Sequence, residues 1–462
     1  MTRPSPALEL GILSIAVLAV LLLDAAVNEL HGTAVFYASL IREMVDSGWL
    51  SIFQGERAYF LKPPLVLWLS AASAEALGLT NLGVSLVPRL AGVACVLLTY
   101  LIAKKLFTHR IAALTVIVLV TNSTFIQFSA TLRMDSMLMV GGLLSIYAWL
   151  CRDQKFSSCM LFLGLAIGVL SKGPLGFSPI LIIVLHSMCF RIPLSNTIRW
   201  RWSVLLLPIM CWYGYLFVEH GSAPFTQLGS DLAKPAAASA GSSIEGTIDE
   251  YVLKPIRRYL PWLPFMLVGI AIAVVNAMRG EGDEKATMRW LLLWFMVVFI
   301  SAAAKPDKDI RYLYMGIPVL AIFAGYALDL LAQKFRLRWL TTSLAGLVLV
   351  VALVFNLQAT DTRAEISALN SVLDKRSDPL VAIGGYPVPP NQPRRQNTHR
   401  DWIFFYTGIE PVVLDWTQLN PADIKTGEAY LLTNNRTHAA RLAEYGLTAK
   451  FVTTEMVYAV RE

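Results

Sequence analysis

The chain has 462 residues, of which 56% are hydrophobic and only 15% charged, against roughly 25% charged in an ordinary soluble domain. Its formal charge is +7, but the lysines and arginines are scattered between long apolar runs. That distribution argues against a nucleic-acid-binding face and fits the loops of a polytopic membrane protein. All five cysteines lie in apolar runs without metal-type spacing, so neither a disulfide framework nor a thiolate metal centre is expected.

The first apolar run, 8–27, follows a short N-terminus holding only Arg3 and has no small-residue cleavage site, so it is expected to be a retained span. Next, in NELHGTAVFYASLIREMVDSGWLS, residues Tyr37, Leu40, Ile41, Met44 and Val45 fall at helical spacing. They predict an amphipathic helix over 33–47 lying on the membrane surface, ended by Gly48. The segment AYFLKPPLVLWL (58–69) follows. Pro63 and Pro64 bar a helix from running through Lys62 and favour an extended backbone before them, which fixes that lysine at the membrane edge.

Further spans are expected near 88–107, 111–130, 136–152, 158–172, 174–190, 202–218, 260–278, 288–304, 312–332 and 338–357. The run 64–78 is short and begins with proline, so it is either a span or an interfacial helix. The positive-inside rule favours the second. If 64–78 does not cross, Arg3, Lys104, Lys105, Arg110, Arg152, Lys155, Arg191, Arg199, Arg201, Arg279, Lys285, Arg289, Lys334, Arg336 and Arg338 all share one side. This gives eleven spans, the N-terminus inside, the C-terminus outside, and 28–87 as one outer loop with juxtamembrane helices.

That topology leaves a second set of cations at the outer edge: Lys62, Arg133, Lys172, Lys305, Lys308 and Arg311. Singly, each is accounted for by snorkelling to headgroups. Together, at the ends of several segments, they point to a shared anionic ligand such as a lipid phosphate or pyrophosphate. In TLRMDSMLM (131–139) Asp135 stands beside Arg133, where an ion pair or helix cap is the plain alternative to a catalytic role. LSKGPLG (170–176) places Lys172 at a helix-breaking turn. KPDKDIRYLY (305–314) sets Lys308 and Arg311 beside Tyr312 and Tyr314, with a solvated charged loop as its plain reading.

From Asp361 onward the sequence is ordinary soluble sequence. LVAIGGY, DWIFFYTG, EPVVLD, AYLLTNN and AKFVTTEMVYAV read as strands, and RTHAARLAEYG as a helix. The expected organisation is a membrane domain over 1–357 and an extracytoplasmic α/β domain over 358–462. GGYPVPPNQPRRQNTHR (384–400) is expected to be a loop, and no Gly-rich phosphate loop is present.

Five pieces in this order, YASLIREM with GW shortly after, YFLKPPLVLWL, RMDSMLM, LSKGPLG and KDIRYLYMGIPVLAIFAGYAL, resemble the GT-C class of polytopic glycosyltransferases. The branch they resemble holds the bacterial aminoarabinose transferases and mannosyltransferase-like proteins, and the resemblance covers about residues 1–330. It implies an α-helical polytopic fold with juxtamembrane helices, in the bacterial inner membrane. It also implies a sugar donor carried on a polyprenyl phosphate, and transfer at the outer face to a cell-envelope lipid, glycan or protein. In such a reaction a carboxylate takes the acceptor proton, and basic residues stabilise the departing phosphate. No cofactor is required, a divalent cation is left open, and no nucleic acid is involved.

Lys62 matches the family's phosphate-side lysine, and Lys172, Lys308 and Arg311 also match family positions. Arg133 and Tyr312 complete the candidate phosphate site. The family's first-helix acid pair, however, falls on Thr33 and Ala34, and its acid before Lys-Pro-Pro falls on Leu61. Two accounts follow. In one the base has moved to Glu29, His31 or Asp135, with Asp24 too deep in its span to serve. In the other the chain binds a lipid-linked sugar as an accessory to an active membrane-protein partner. A transporter fits less well, since no internal repeat is visible and the charged residues gather at one face.

Overall fold

The computed structural model describes residues 6–22, 30, 32–50, 52–54, 57–194, 198–226, 248–305, 309–337, 339–357, 370, 373, 381–383, 398–409, 412–414, 429–433, 447–452 and 456–461. In chain order, α1 (Pro6–Leu22) leads to α2 (Thr33–Ser47), a small hairpin of β1 (Phe53–Gln54) and β2 (Arg57–Ala58), and α3 (Leu65–Leu77). There follow α4 (Asn81–Leu106), α5 (His109–Val120), α6 (Ser123–Ser129), α7 (Asp135–Leu150), α8 (Ser157–Lys172), α9 (Ser178–Phe190) and α10 (Leu207–His220). The bundle is completed by α11 (Lys254–Arg258), α12 (Leu263–Arg279), α13 (Gly282–Ala303), α14 (Ile317–Lys334) and α15 (Leu340–Leu357). Last come β3 (Val381–Ile383), α16 (Thr398–Thr407), β4 (Val412–Leu414), β5 (Ala429–Thr433), β6 (Leu447–Val452) and β7 (Met456–Arg461).

Among the described residues, five helical segments are long and apolar enough to cross a membrane, or up to seven if two bent pairs each count as one span. One bent pair is α5 with α6, turning by 71°; the other joins 249–258 to α12 at 117°. The 34-residue stretch Ser157–Phe190 is not straight. Its α8 part lies antiparallel to α7, with Lys172 beside Asp135. Its α9 part lies parallel to α7, with Pro179 near Gly142 and His186 hydrogen-bonded to Trp149. The reversal takes place in the 3-10 turn Gly173–Phe177, which Gly173 enters at φ 70°, a conformation costly for a residue with a Cβ.

Close backbone approach fixes the α7–α8 pair. A Cβ on Gly141 would stand 2.5 Å from the Gly164 carbonyl oxygen and 2.6 Å from the Gly168 nitrogen. Small residues at helix interfaces are how membrane bundles gain contact where burial from water gives little. By contrast α3, 13 residues long, reaches only about 20 Å at about 1.5 Å per residue, short of the roughly 30 Å hydrocarbon layer.

Among the described residues two large apolar cores result, beside a small cluster of Tyr251, Ala302 and Leu313. The larger joins the long helices around Phe125, Trp149, Trp290, Trp294, Tyr314 and Phe323. The smaller gathers α2, α3 and α16 with Leu132, Met134, Leu170 and Trp212 at one end of the bundle. The opposite end is tied by polar pairs: Glu9 to His109 at 3.3 Å, Tyr100 to His109 at 2.7 Å, and Arg110 to Asp329 at 3.3 Å.

Two local expectations differ from the fold. Helix α2 occupies the predicted 33–47, but it is buried beyond one face: Ala34, Val35, Phe36, Ala38 and Ser39 are covered as well. The cover comes from α16, which packs along it. That same α16 spans most of DWIFFYTG, which aromatic content marks as a strand. Burial of Trp402, Ile403 and Phe405 against α2 overrides the β preference of those side chains. The end of the 384–400 loop, residues 398–400, is also helical. The described strands after α15 form one five-stranded sheet in the order β4-β3-β5-β7-β6. In it β3 is parallel to β4 and β5, and β7 is antiparallel to β5 and β6. The predicted helix 436–446 lies outside the described residues.

Candidate functional site

The site end of the bundle is built on the antiparallel α7–α8 pair. Asp135 opens α7, Lys172 closes α8, and the glycine contact below them brings these two ends together. The buried Asp135 carboxylate uses both oxygens: Oδ1 accepts from Lys172 Nζ, and Oδ2 lies 3.2 Å from Arg133 Nε. The Arg133 guanidinium also lies over the Phe128 ring, 4.6 Å from its centroid, a favourable face for a cation.

Lys62 reaches this place through its prolines. A Cβ on Gly173 would stand 3.9 Å from Pro63 Cγ, so the Lys-Pro-Pro segment lies directly against the Lys172–Gly173 turn. Pro63 and Pro64 are buried while Leu61 and Lys62 are half-buried. Leu61 and Phe60 pack on the smaller core, and the Phe60 ring meets His220 at 4.8 Å.

From the other side comes the 3-10 turn Ile310–Gly316, leading into α14. Asp309 caps it, accepting from the Arg311 backbone N–H at 2.8 Å, and pairs with Arg311 Nε at 3.1 Å. The Arg311 guanidinium lies 5.2 Å from the Tyr312 ring centroid, and Lys305 approaches the same ring at 6.0 Å. Tyr314 is buried, its hydroxyl 2.7 Å from Ser129 Oγ on α6.

Helix α2 contributes Tyr37, which is buried and linked by a side-chain hydrogen bond to Tyr59. It lies within electrostatic range of Asp135, Arg133 and Arg311. Burial, helped by the negative charge of Asp135, pushes its pKa up to about 12, so it is an O–H group throughout the physiological range. Spacing alone marks Tyr37 as one more residue of an apolar helix face. The signal for more is its hydroxyl, which has to find a partner when buried.

Of the predicted site residues, the fold therefore brings Arg133, Asp135 and Lys172 into one ion-paired cluster, with Lys62 and Arg311–Tyr312 approaching it from two further segments. Glu29, His31, Lys308 and Asp24 lie outside the described residues. Thr33 is half-buried at the first turn of α2, and Ala34 is buried beside it. Among the described residues, no group of three or more His, Cys, Asp and Glu side chains is placed to hold a metal ion.

Comparison with known proteins bears on the fold. A family profile described as dolichyl-phosphate-mannose-protein mannosyltransferase matches residues 61–215, the stretch carrying Lys62, Arg133, Asp135 and Lys172. A solved structure of ArnT from Cupriavidus metallidurans bound to undecaprenyl phosphate superposes with a TM-score of 0.70, at 15% identity over 99% of both chains. The chain has the GT-C fold. An archaeal oligosaccharyltransferase, AglB from Archaeoglobus fulgidus, shares the GT-C likeness with a TM-score of 0.58 at 12% identity. That match covers 98% of this chain and 74% of the other.

Sequence relatives of this GT-C protein include an undecaprenyl phosphate-alpha-4-amino-4-deoxy-L-arabinose arabinosyl transferase of Shewanella sediminis. It is 23% identical over 302 residues, covering 62% of this chain and 53% of the relative. A second transferase of the same description, from Pseudomonas fluorescens, is 25% identical over 340 residues, covering 69% of this chain and 56% of the relative. The matches thus span little more than half the length of these relatives.

Proposed function

We propose that this chain is a membrane glycosyltransferase. It takes a sugar from a polyprenyl-phosphate donor and passes it to a cell-envelope lipid, glycan or protein at the outer face of the bacterial inner membrane. The observation that carries this reading is the convergence of Lys62, Arg133, Lys172 and Arg311 from four separate segments on one end of the bundle. Fixed cations at that place supply what a departing phosphate needs, since preorganised positive charge stabilises charge that develops in the transition state. Tyr37, Tyr59 and Tyr312 add hydroxyl donors. The site end is then the outer face, and the end with Lys104, Lys105 and Arg110 is the cytoplasmic one, in keeping with the positive-inside rule. The membrane domain covers 1–357, and residues 358–462 form an extracytoplasmic domain.

The acceptor's proton requires a base. With both oxygens of Asp135 held by cations, that carboxylate is better suited to holding Arg133 and Lys172 in place than to taking a proton. Glu29 and His31 are the proposed bases. The proposed reaction requires no cofactor, and a divalent cation is left open.

A second reading has its own support. Leu61 is an apolar side chain packed on the core beside Lys62, and Thr33 opens α2, where the resemblance calls for carboxylates. A chain that keeps the phosphate site and lacks the acids would bind lipid-linked sugar as an accessory to an active partner. Purified full-length protein in nanodiscs, given a defined undecaprenyl-phosphate sugar and an envelope acceptor extract, separates the two. Product formation that falls at least tenfold in Glu29→Gln or His31→Ala supports the enzyme and its base. Retained binding of undecaprenyl phosphate with no turnover of any donor supports the accessory role.

A further inference from the structure

Helix α16 belongs to the C-terminal part of the chain, yet its Trp402, Ile403 and Phe405 are buried in the smaller core against α2 and α3. Three polar links pin it there. Buried Asp401 accepts from Ser39 Oγ at 3.3 Å, and Arg42 donates to the Phe405 carbonyl at 2.6 Å. The third link is the Tyr406 hydroxyl, which accepts from the Leu30 backbone N–H at 3.0 Å and donates to Asn81 Oδ1 at 2.6 Å.

The third link differs in kind from the other two. Ser39 and Arg42 are in the middle of α2, so their bonds only fasten one helix to another. Leu30 lies just ahead of α2, and Asn81 is the first residue of α4. Tyr406 therefore ties the residue ahead of α2 to the first residue of α4. Its ring is itself held, 4.7 Å from Trp402 and 4.8 Å from Phe405, so the hydroxyl is presented from a packed support. One helical turn beyond the start of α2 stands Tyr37, close to the charges of Asp135, Arg133 and Arg311. Moving the start of α2 moves Tyr37, because a helix transmits displacement along its axis.

We propose that Tyr406 is a positioning residue for the candidate site: its hydroxyl clamps the start of α2 to α4 and so holds Tyr37 at the Asp135–Arg133 ion pair. In its consequence for transfer, this inference rests on the glycosyltransferase reading given above. In its structural content it stands alone. The C-terminal region then completes the site from a distance of more than three hundred residues in sequence, and is not a separable appendage.

The test is Tyr406→Phe in the full-length protein in nanodiscs, which keeps the ring and its packing and removes only the hydroxyl. Hydrogen exchange of the Leu30–Tyr37 backbone is expected to accelerate about tenfold, the scale of one lost hydrogen bond, with α7 and α8 unchanged. Transfer is expected to fall about fivefold to tenfold in kcat with the KM for undecaprenyl-phosphate sugar unchanged, as for loss of an arrangement needed only in the reacting complex. Asn81→Ala removes the other leg of the clamp. Tyr406→Phe/Asn81→Ala together should lose no more than Tyr406→Phe alone, because both act through one hydroxyl. Tyr326→Phe, at the opposite end of the bundle, should change neither readout. Unchanged exchange at Leu30–Tyr37 overturns the inference, as does a raised donor KM with kcat preserved. A wild-type preparation with no turnover removes the transferase reading and leaves exchange to decide the clamp.

Discussion

Replacing Asp135 with asparagine removes a negative charge that two cations share. Its Oδ2 lies 3.2 Å from Arg133 Nε, which at an effective dielectric of about 20 corresponds to about 5 kcal/mol of attraction. Desolvation of the three groups offsets most of that, and of the similar gain from Lys172. What remains is the cost of leaving cations without their counter-ion, about 3–5 kcal/mol for a buried pair. The Arg133 and Lys172 side chains keep 20% and 14% of their exposure, which places the expectation near the lower figure, about 3 kcal/mol. Asp135→Asn should therefore lower the thermal unfolding midpoint of the purified protein, followed by tryptophan fluorescence. It should leave undecaprenyl phosphate binding intact or tighter, since both cations are released. Adding Lys172→Met to Asp135→Asn should recover part of the lost stability. Unchanged stability with abolished transfer would refute the reasoning, because it would make Asp135 the base and not the counter-ion.

Lys62→Ala and Arg311→Ala should each weaken undecaprenyl phosphate binding by about tenfold or more, the worth of a hydrogen bond to a charged group. Lys105→Ala at the opposite end should not, and equal losses in all three would remove the phosphate-site argument. The Tyr37 pKa is raised from 10.0 to about 12 in the fold, so the folded state holds its proton more tightly than the unfolded chain. This contribution is fully present below pH 10 and is lost as the pH rises through about 12. Tyr37→Phe should accordingly show a shallower loss of stability between those limits, measured by unfolding at successive alkaline pH values. Gly141→Ala should destabilise the α7–α8 pair by about 1–3 kcal/mol, because the added carbon meets backbone atoms that cannot rotate away. A midpoint equal to wild type would show that the two helices are less closely apposed.

Much of this arrangement is legible in the sequence because membrane topology is a strong constraint. Apolar runs mark the helices, and basic loops sort their ends. Of the six cations that sorting leaves over, Arg133 and Lys172 meet at Asp135, Lys62 and Arg311 stand on neighbouring segments, Lys305 reaches the Tyr312 ring, and Lys308 lies outside the described residues. The helix over 33–47 is legible from the spacing of Tyr37, Leu40, Ile41 and Met44. What spacing cannot convey is the partner covering that helix. DWIFFYTG has the aromatic content of a strand, and only its contact with α2, across most of the chain length, makes it a helix. Tyr406 is invisible for the same reason, since its two partners, Leu30 and Asn81, are separated from it by 376 and 325 residues. Asp135 is legible as a charge beside Arg133, but its pairing with Lys172 depends on two glycine-lined helices meeting at close range.

The antiparallel α7–α8 pair has a further electrical consequence. Asp135 stands in the first turn of α7 and Lys172 in the last turn of α8. A helix carries partial positive charge at its N-terminus and partial negative charge at its C-terminus, worth about 0.3–1 kcal/mol to a suitable side chain. Each member of the pair thus faces the helix end that favours it. Exchanging the two, Asp135→Lys with Lys172→Asp, would preserve their mutual attraction and set both against their backbones. The candidate site consequently has a built-in direction of charge, laid down by the helices themselves before any anion arrives.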